Sequence, residues 1–417
     1  MRGRLLGENK MRASALLTLL SAVNLSACGA MRPPEAVCEL NYSMATGATG
    51  SLASQSATDP LANPEPVLIE QEIMTVSMVD TFREAVEAAP VSQGPLTVEV
   101  LALSAGGQFG AFGAGFLRGW AENPVTPRPT FRLVTGVSAG AMIAPVVFAG
   151  SEFDEALDGY RGLAEEDIFE RRRLTSLLSA PSFGNVTPLE NFLSSRLTDD
   201  LISSIAKSHN EGRGLFIMAT DLDGTQAAIF NLGEIASSDQ SFEQKRKCLR
   251  ETMLASSAIP GLFPPRNIDG GLFADGGLRD QIFLQSIEQA RQDIIRETGR
   301  DIRVSATIVI NGSLLPPVEG VSDGLLNYAR RGAVILADEV LRDSISEVVR
   351  FAQSQPNWTV RGMIADTDLS ACEPEAIGGT FDACVTQTIF DDGREKGRMR
   401  QIPWLGPEAL LDEAAQL

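Results

Sequence analysis

The chain has 417 residues, with 35 lysine and arginine side chains against 54 aspartate and glutamate, for a formal net charge of −19. A surface of that sign repels nucleic acid and anionic headgroups at long range, which excludes nucleic-acid binding and attachment to membrane through a basic face. Hydrophobic residues make up 44% of the chain, enough to bury a large core, and one α/β domain of roughly 300 residues or more is expected.

The chain opens with Arg2, Arg4, Lys10 and Arg12, then an apolar stretch over 13–23, then Leu25-Ser26-Ala27-Cys28. Basic, apolar and small-residue segments in that order make a secretory signal over 1–27, whose apolar part is too short to span a bilayer. Met11 is an alternative start that keeps the order intact. The L-S-A-C ending resembles a bacterial lipobox. That implies cleavage before Cys28 and diacylglycerol on its thiol, and Gly29 then implies an outer-membrane destination in the cell envelope. Residues 1–27 hold four basic and one acidic side chain, so the remainder stands at −22. Attachment must then come from acyl chains and local apolar patches.

Residues 28–66 are rich in Ser, Thr, Ala, Gly and Pro without periodicity and read as a flexible tether, leaving 67–417 as the folded domain. Apolar residues at helical spacing (Ile73, Val76, Val79, Phe82, Val86) follow, and Gln93-Gly94-Pro95 breaks the chain. The remaining cysteines, Cys38, Cys248, Cys372 and Cys384, allow three full pairings in an oxidising compartment. Cys372 with Cys384, closing a short loop around Gly378-Gly379, is the preferred pair. No C-x-x-C or histidine-rich spacing suggests zinc.

The first firm strand is 96–104, leading through Ala105-Gly106-Gly107-Gln108-Phe109-Gly110 into a helix over 111–120. Such a glycine cluster either cradles a phosphate or offers N–H groups to an oxyanion. Neither a strict G-x-G-x-x-G nor a G-K-[ST] is present, which disfavours nucleotide binding. The apolar run 131–134 then meets Thr135-Gly136-Val137-Ser138-Ala139-Gly140 and a helix over 141–149. A strand entering a helix through G-x-S-x-G makes a sharp turn with the serine at its tip. Adjacent parallel strands bring both loops to one edge of the sheet, where acyl transfer needs nucleophile and oxyanion donors together.

A serine hydroxyl needs a base. The one histidine, His209, lies in Ser208-His209-Asn210-Glu211-Gly212, which reads as a solvated loop before a strand at 215–219, and no histidine follows. A Ser-His-Asp triad is therefore disfavoured. Carboxylates remain, namely Asp275 in Phe273-Ala274-Asp275-Gly276-Gly277 and Asp269 in Ile268-Asp269-Gly270-Gly271. Spacing alone does not separate the two.

The combination resembles the patatin-like phospholipase family, whose members use a Ser–Asp dyad without histidine. Leu103 to Trp120 is similar to its glycine block, Gly136 to Gly140 to its G-x-S-x-G, and Asp275-Gly276-Gly277 to its D-G-[GA]. Ala255-Ser256-Ser257-Ala258-Ile259-Pro260-Gly261-Leu262-Phe263-Pro264-Pro265 resembles a further block, and Ala219-Thr220-Asp221-Leu222 a strand-end motif, all in the family's order over a motif core of 96–280. The glycine block departs from the family's G-G-G-x-R-G, with Ala105 at the first glycine and Phe109 at the arginine. The resemblance implies a three-layer α/β/α fold with a mostly parallel central sheet. It implies Ser138 as nucleophile, Asp275 as base, and Gly106, Gly107 and Ala139 as oxyanion donors. No metal or cofactor is required, and the substrate is a lipid or another apolar acyl ester.

Beyond the motifs, 151–207 is helical in pattern and includes Arg171-Arg172-Arg173, read as a surface helix or a lid. An amphipathic helix over 281–298, a buried strand over 302–310, a long helix over 325–351, a strand over 358–365 and a last helix from Asp382 or Asp391 follow. Two functions remain: a lipid-anchored serine acyl hydrolase, anchored to membrane through Cys28, or a non-catalytic envelope lipoprotein that binds lipid or a protein partner through the same fold.

Overall fold

The computed structural model describes residues 32–40, 43–44, 79–84, 86–87, 94–172, 181–284, 286–312, 321, 323–373 and 381–415. The signal segment and Cys28 lie outside the described residues.

Twelve strands are present among them: β1 (Glu35–Ala36), β2 (Ser43–Met44), β3 (Leu96–Leu103), β4 (Leu133–Val137), β5 (Glu170–Arg171), β6 (Gly184–Asn185), β7 (Gly214–Asp221), β8 (Ala227–Asn231), β9 (Arg266–Ile268), β10 (Gly271–Asp275), β11 (Ile302–Ile310) and β12 (Trp358–Ile364). The strands β12-β11-β3-β4-β7 form the parallel centre of a ten-stranded sheet, and β5–β6 is a separate hairpin. Both faces are covered, as a parallel sheet requires. In β3 the side chains alternate accordingly: Leu101 and Leu103 enter one core, Val98, Val100 and Ala102 the other. The first core takes α1 (Gly110–Ala121), α2 (Ala139–Ala149), α3 (Phe242–Ser256) and α5 (Ala383–Arg398). The second takes the helix Ser286–Thr298, α4 (Leu325–Ser354) and the helix Pro407–Ala415, which the sequence pattern did not reveal. The architecture is the expected three-layer α/β/α.

Strand register explains how a residue of β10 reaches the end of β4. Residues 214–218 of β7 pair with β4, and 216–220 pair with β8, so these two partners occupy opposite edges of β7. Residues 219–221 pair with β10, overlapping β8's span. The antiparallel β10 must therefore lie on β4's edge, end to end with it. Val137 stands opposite Met218 and Asp275 opposite Ala219, on successive rungs.

Several expectations change. Within the tether expected over 28–66, residues 32–40 and 43–44 are fixed on the sheet: β1 pairs with β9 and β2 with β8. The Asp269 carboxylate accepts the amides of Cys38 (2.6 Å), Glu39 (3.1 Å) and Leu40 (2.9 Å). A Cys38–Cys248 disulfide bolts this strap to α3, and Cys372–Cys384 forms as preferred. The 151–207 region is less helical than its pattern: a 3-10 stretch Ser151–Tyr160 and the β5–β6 hairpin precede the helices Thr187–Arg196 and Asp199–Asn210. His209 is in the last turn of that final helix, half-buried, not in a solvated loop, because helix continues to Asn210 before Gly212 turns the chain at φ 75°.

Candidate active site

The serine is held at the tip of a strained turn. Ser138 links β4 to α2 with φ 51° and ψ −116°, in the left-handed half of backbone space that a side chain normally avoids. The turn packs so tightly that a methyl group added at Gly140 would lie 2.3 Å from the Leu103 carbonyl oxygen of the neighbouring strand. Ser138 is buried, and its Oγ donates to Asp275 Oδ2 at 2.7 Å.

Asp275 is positioned from every side. Its amide donates to the Ala258 carbonyl (3.0 Å), its own carbonyl accepts from Thr220 Oγ1 (2.9 Å), and its Oδ1 accepts from the Gly277 amide (2.8 Å). Thr220 belongs to the strand-end motif of β7, which explains why that motif accompanies the aspartate. Burial pushes the Asp275 carboxyl up to about 6, against the lowering influence of its hydrogen bonds from Ser138 and Gly277. A carboxylate so poised is mostly ionised at neutral pH yet more basic than an exposed one. Asp269, the other carboxylate with similar local sequence, is occupied by the strap amides. His209 packs beside Gly233 of the helix Leu232–Ser237 and is not part of the cleft wall at Ser138.

Sequence reasoning missed Ser256. Its hydroxyl accepts the Ser138 amide (3.0 Å) and donates to the Met218 carbonyl (2.6 Å), tying the turn to α3 and to the end of β7. The motif block around it was visible, but nothing local distinguishes this serine from Ser257 next to it.

The glycine loop closes the other side. Gly107 and Ala139 line the cleft with Ser138, and no acceptor among the described residues engages their amides. Ala139 is the first residue of α2, so its N–H is one of the free donors of a helix start. Gly106 lies behind the wall, pressed on β11's end: a methyl group there would meet the Asn311 carbonyl oxygen at 1.3 Å. Asn311 in turn donates to the Ser104 carbonyl through Nδ2 (2.8 Å), and Gln108 accepts the Asp382 amide (3.1 Å), fixing the loop from two directions. Phe109, at the position of the family's arginine, is packed against the first core.

The cleft at Ser138 is walled by Met142, Tyr160, Leu163, Ile168, Leu189 and Phe263, among others, with no charged side chain among its described lining residues. Tyr160 directs its hydroxyl to the Met142 carbonyl (2.8 Å), leaving its ring face to the wall. An alcohol hydrogen-bonded to a basic carboxylate, facing unengaged amides in an apolar cleft, is an arrangement suited to acyl transfer.

No curated protein matches the sequence. The family model described as patatin-like phospholipase matches residues 101–286, a span that contains the glycine loop, Ser138 and Asp275. The chain therefore carries a patatin-like phospholipase domain, a domain of the lipid acyl hydrolase kind.

Proposed function

We propose that the protein is a serine acyl-ester hydrolase acting on lipids through a two-residue Ser138–Asp275 centre. The observation that carries the reading is the 2.7 Å hydrogen bond from Ser138 Oγ to the buried Asp275 carboxylate. Asp275 takes the hydroxyl proton as Oγ attacks the ester carbonyl. The carbonyl oxygen becomes an anion within reach of the amides of Gly107 and Ala139, supported by the loop at Gly106. As the tetrahedral adduct collapses, the C–O bond to the alcohol breaks and protonated Asp275 returns the proton to the leaving alkoxide. Water, deprotonated by Asp275, then attacks the acyl-serine and releases the fatty acid. Preorganised amides of this kind contribute a few kcal/mol each, about 3 kcal/mol in measured cases.

The described lining of the cleft is apolar and uncharged, which fits an acyl chain and, among the described residues, offers no cation to a phosphate. It favours recognition of the acyl portion over the headgroup. We place the enzyme in the cell envelope, anchored through acylated Cys28, on the lipobox-like L-S-A-C ending. Turnover of p-nitrophenyl acyl esters and of phosphatidylcholine tests the reading: Ser138→Ala abolishes both, while His209→Ala retains both. Equal rates for Ser138→Ala and wild type remove it and leave the lipid-binding lipoprotein.

A further inference from the structure

The long helix α4 connects β11 to β12, so it runs from the catalytic edge of the parallel sheet back to the opposite edge. Among its side chains that are described, the first buried one is Leu341, which lies against Gly312 just past the end of β11. The part before it carries an exposed run, Ala333 to Ala337, between the half-buried Arg331-Gly332 and the half-buried Asp338. It rises on the catalytic edge, and its base is tied to the segment that follows Asp275: Gln281 Nε2 donates to the Ala337 carbonyl (2.5 Å), and Ser344 Oγ accepts the Gln281 amide (3.0 Å). Leu278, three residues beyond Asp275, is 47% exposed.

The exposed run is apolar on every side. Ala333, Val334, Ile335, Leu336 and Ala337 are consecutive and all exposed, with Ile335 at 52% and Leu336 at 68%. At about 100° per residue, five consecutive positions circle the helix completely. A docked protein covers one face of a helix, whereas a fluid apolar phase surrounds it. From Leu325 to Val340 the charges balance, Arg330 and Arg331 against Asp338 and Glu339, so this part lacks the acidic excess of a chain of net −19. Tyr328, whose hydroxyl donates to Asp323 at 2.6 Å, is an amphipathic ring of the kind that sits at headgroup level. Among the described residues no helix is long and apolar enough to cross a membrane, so the arm enters the interface without spanning it.

We infer that the first half of α4 is a membrane-inserting arm that seats the catalytic edge on a lipid surface, separately from any anchor at Cys28. The arm deepens the hydrolase reading and takes its purpose from it, because it carries Ser138 to where the acyl substrate lies.

The test uses the full chain with Cys28→Ala, so that no acyl anchor contributes, and vesicles of phosphatidylcholine with a minority of phosphatidylglycerol. Ile335→Asp and Leu336→Asp should each weaken cosedimentation about tenfold or more, and Leu336→Ala should weaken it less. Hydrolysis of vesicle lipid should fall with binding, while turnover of water-soluble p-nitrophenyl butyrate stays at the parent rate and certifies the fold. Unchanged cosedimentation of the double aspartate variant overturns the arm. So does a parent dimer, seen by size exclusion, that the double variant converts to a monomer, because the face is then a chain–chain contact. If arm-dependent binding holds but no ester is turned over, the hydrolase reading fails and the arm stands.

Discussion

Replacing Asp275 by asparagine separates what the site does for chemistry from what it costs the fold. The folded carboxyl titrates near 6 against an ordinary value of 3.8, because it is buried. The folded state therefore binds this proton more tightly than the unfolded chain does. Below the unfolded value the group costs nothing. As pH rises through the interval up to about 6 the folded state must ionise a buried acid, and stability falls. A gap of roughly two pKa units corresponds to about 3 kcal/mol at neutral pH. Asparagine fits the same hydrogen bonds, with Oδ1 accepting from Gly277 and Nδ2 donating to Ser138 Oγ, and it does not titrate. Asp275→Asn should thus lose turnover yet gain stability relative to wild type, the gain growing by about 2 kcal/mol between pH 4 and pH 7. Urea unfolding of both proteins at pH 4, 5.5 and 7 measures the gap, and comparing across pH cancels any constant packing difference. A gap that stays flat across that range refutes the claim that Asp275 is a strained, basic carboxylate.

Three further outcomes follow from the same geometry. Ser256→Ala strips the Ser138 amide of its acceptor and the Met218 carbonyl of its donor. It should lower stability by about 1–3 kcal/mol and reduce kcat more than KM, read by urea unfolding and ester kinetics. Replacing Cys38 and Cys248 together by alanine opens a loop closed by a sequence separation of 210, which loop-closure entropy values at up to about 5 kcal/mol. Asp269→Ala should expose residues 37–40 to proteolysis while leaving the kcat for soluble esters near wild type, since Asp269 serves the strap and not the serine.

Much of the site is legible in the sequence because its demands are local. A strand running into Gly136-Val137-Ser138-Ala139-Gly140 and a helix has one sharp-turn solution, and the glycine cluster after 96–103 ends its strand at the same edge. The choice between Asp275 and Asp269 is not local. It is set by β10 sharing an edge of β7 with β4 and by the strap amides that occupy Asp269, both long-range pairings. The same holds for Ser256, whose partners lie 118 and 38 residues away. The strap was read as tether because Ser, Thr and Gly composition reports low local order and is blind to a disulfide with a residue 210 positions on. The α4 arm is hidden differently: its helical pattern is plain, but only the structure shows that the run Ala333 to Ala337 is exposed on every side of the helix.

The central claim is that a carboxylate, without imidazole, deprotonates Ser138. The rate of covalent labelling by a fluorophosphonate, followed by intact mass with the modified residue mapped, tests it most directly. The account predicts a single adduct on Ser138, with a labelling rate that climbs as pH rises through about 6 and then levels, unchanged in His209→Ala and about a hundredfold or more slower in Asp275→Asn. An adduct on another residue, or a Ser138 labelling rate indifferent to pH and to Asp275→Asn, contradicts it.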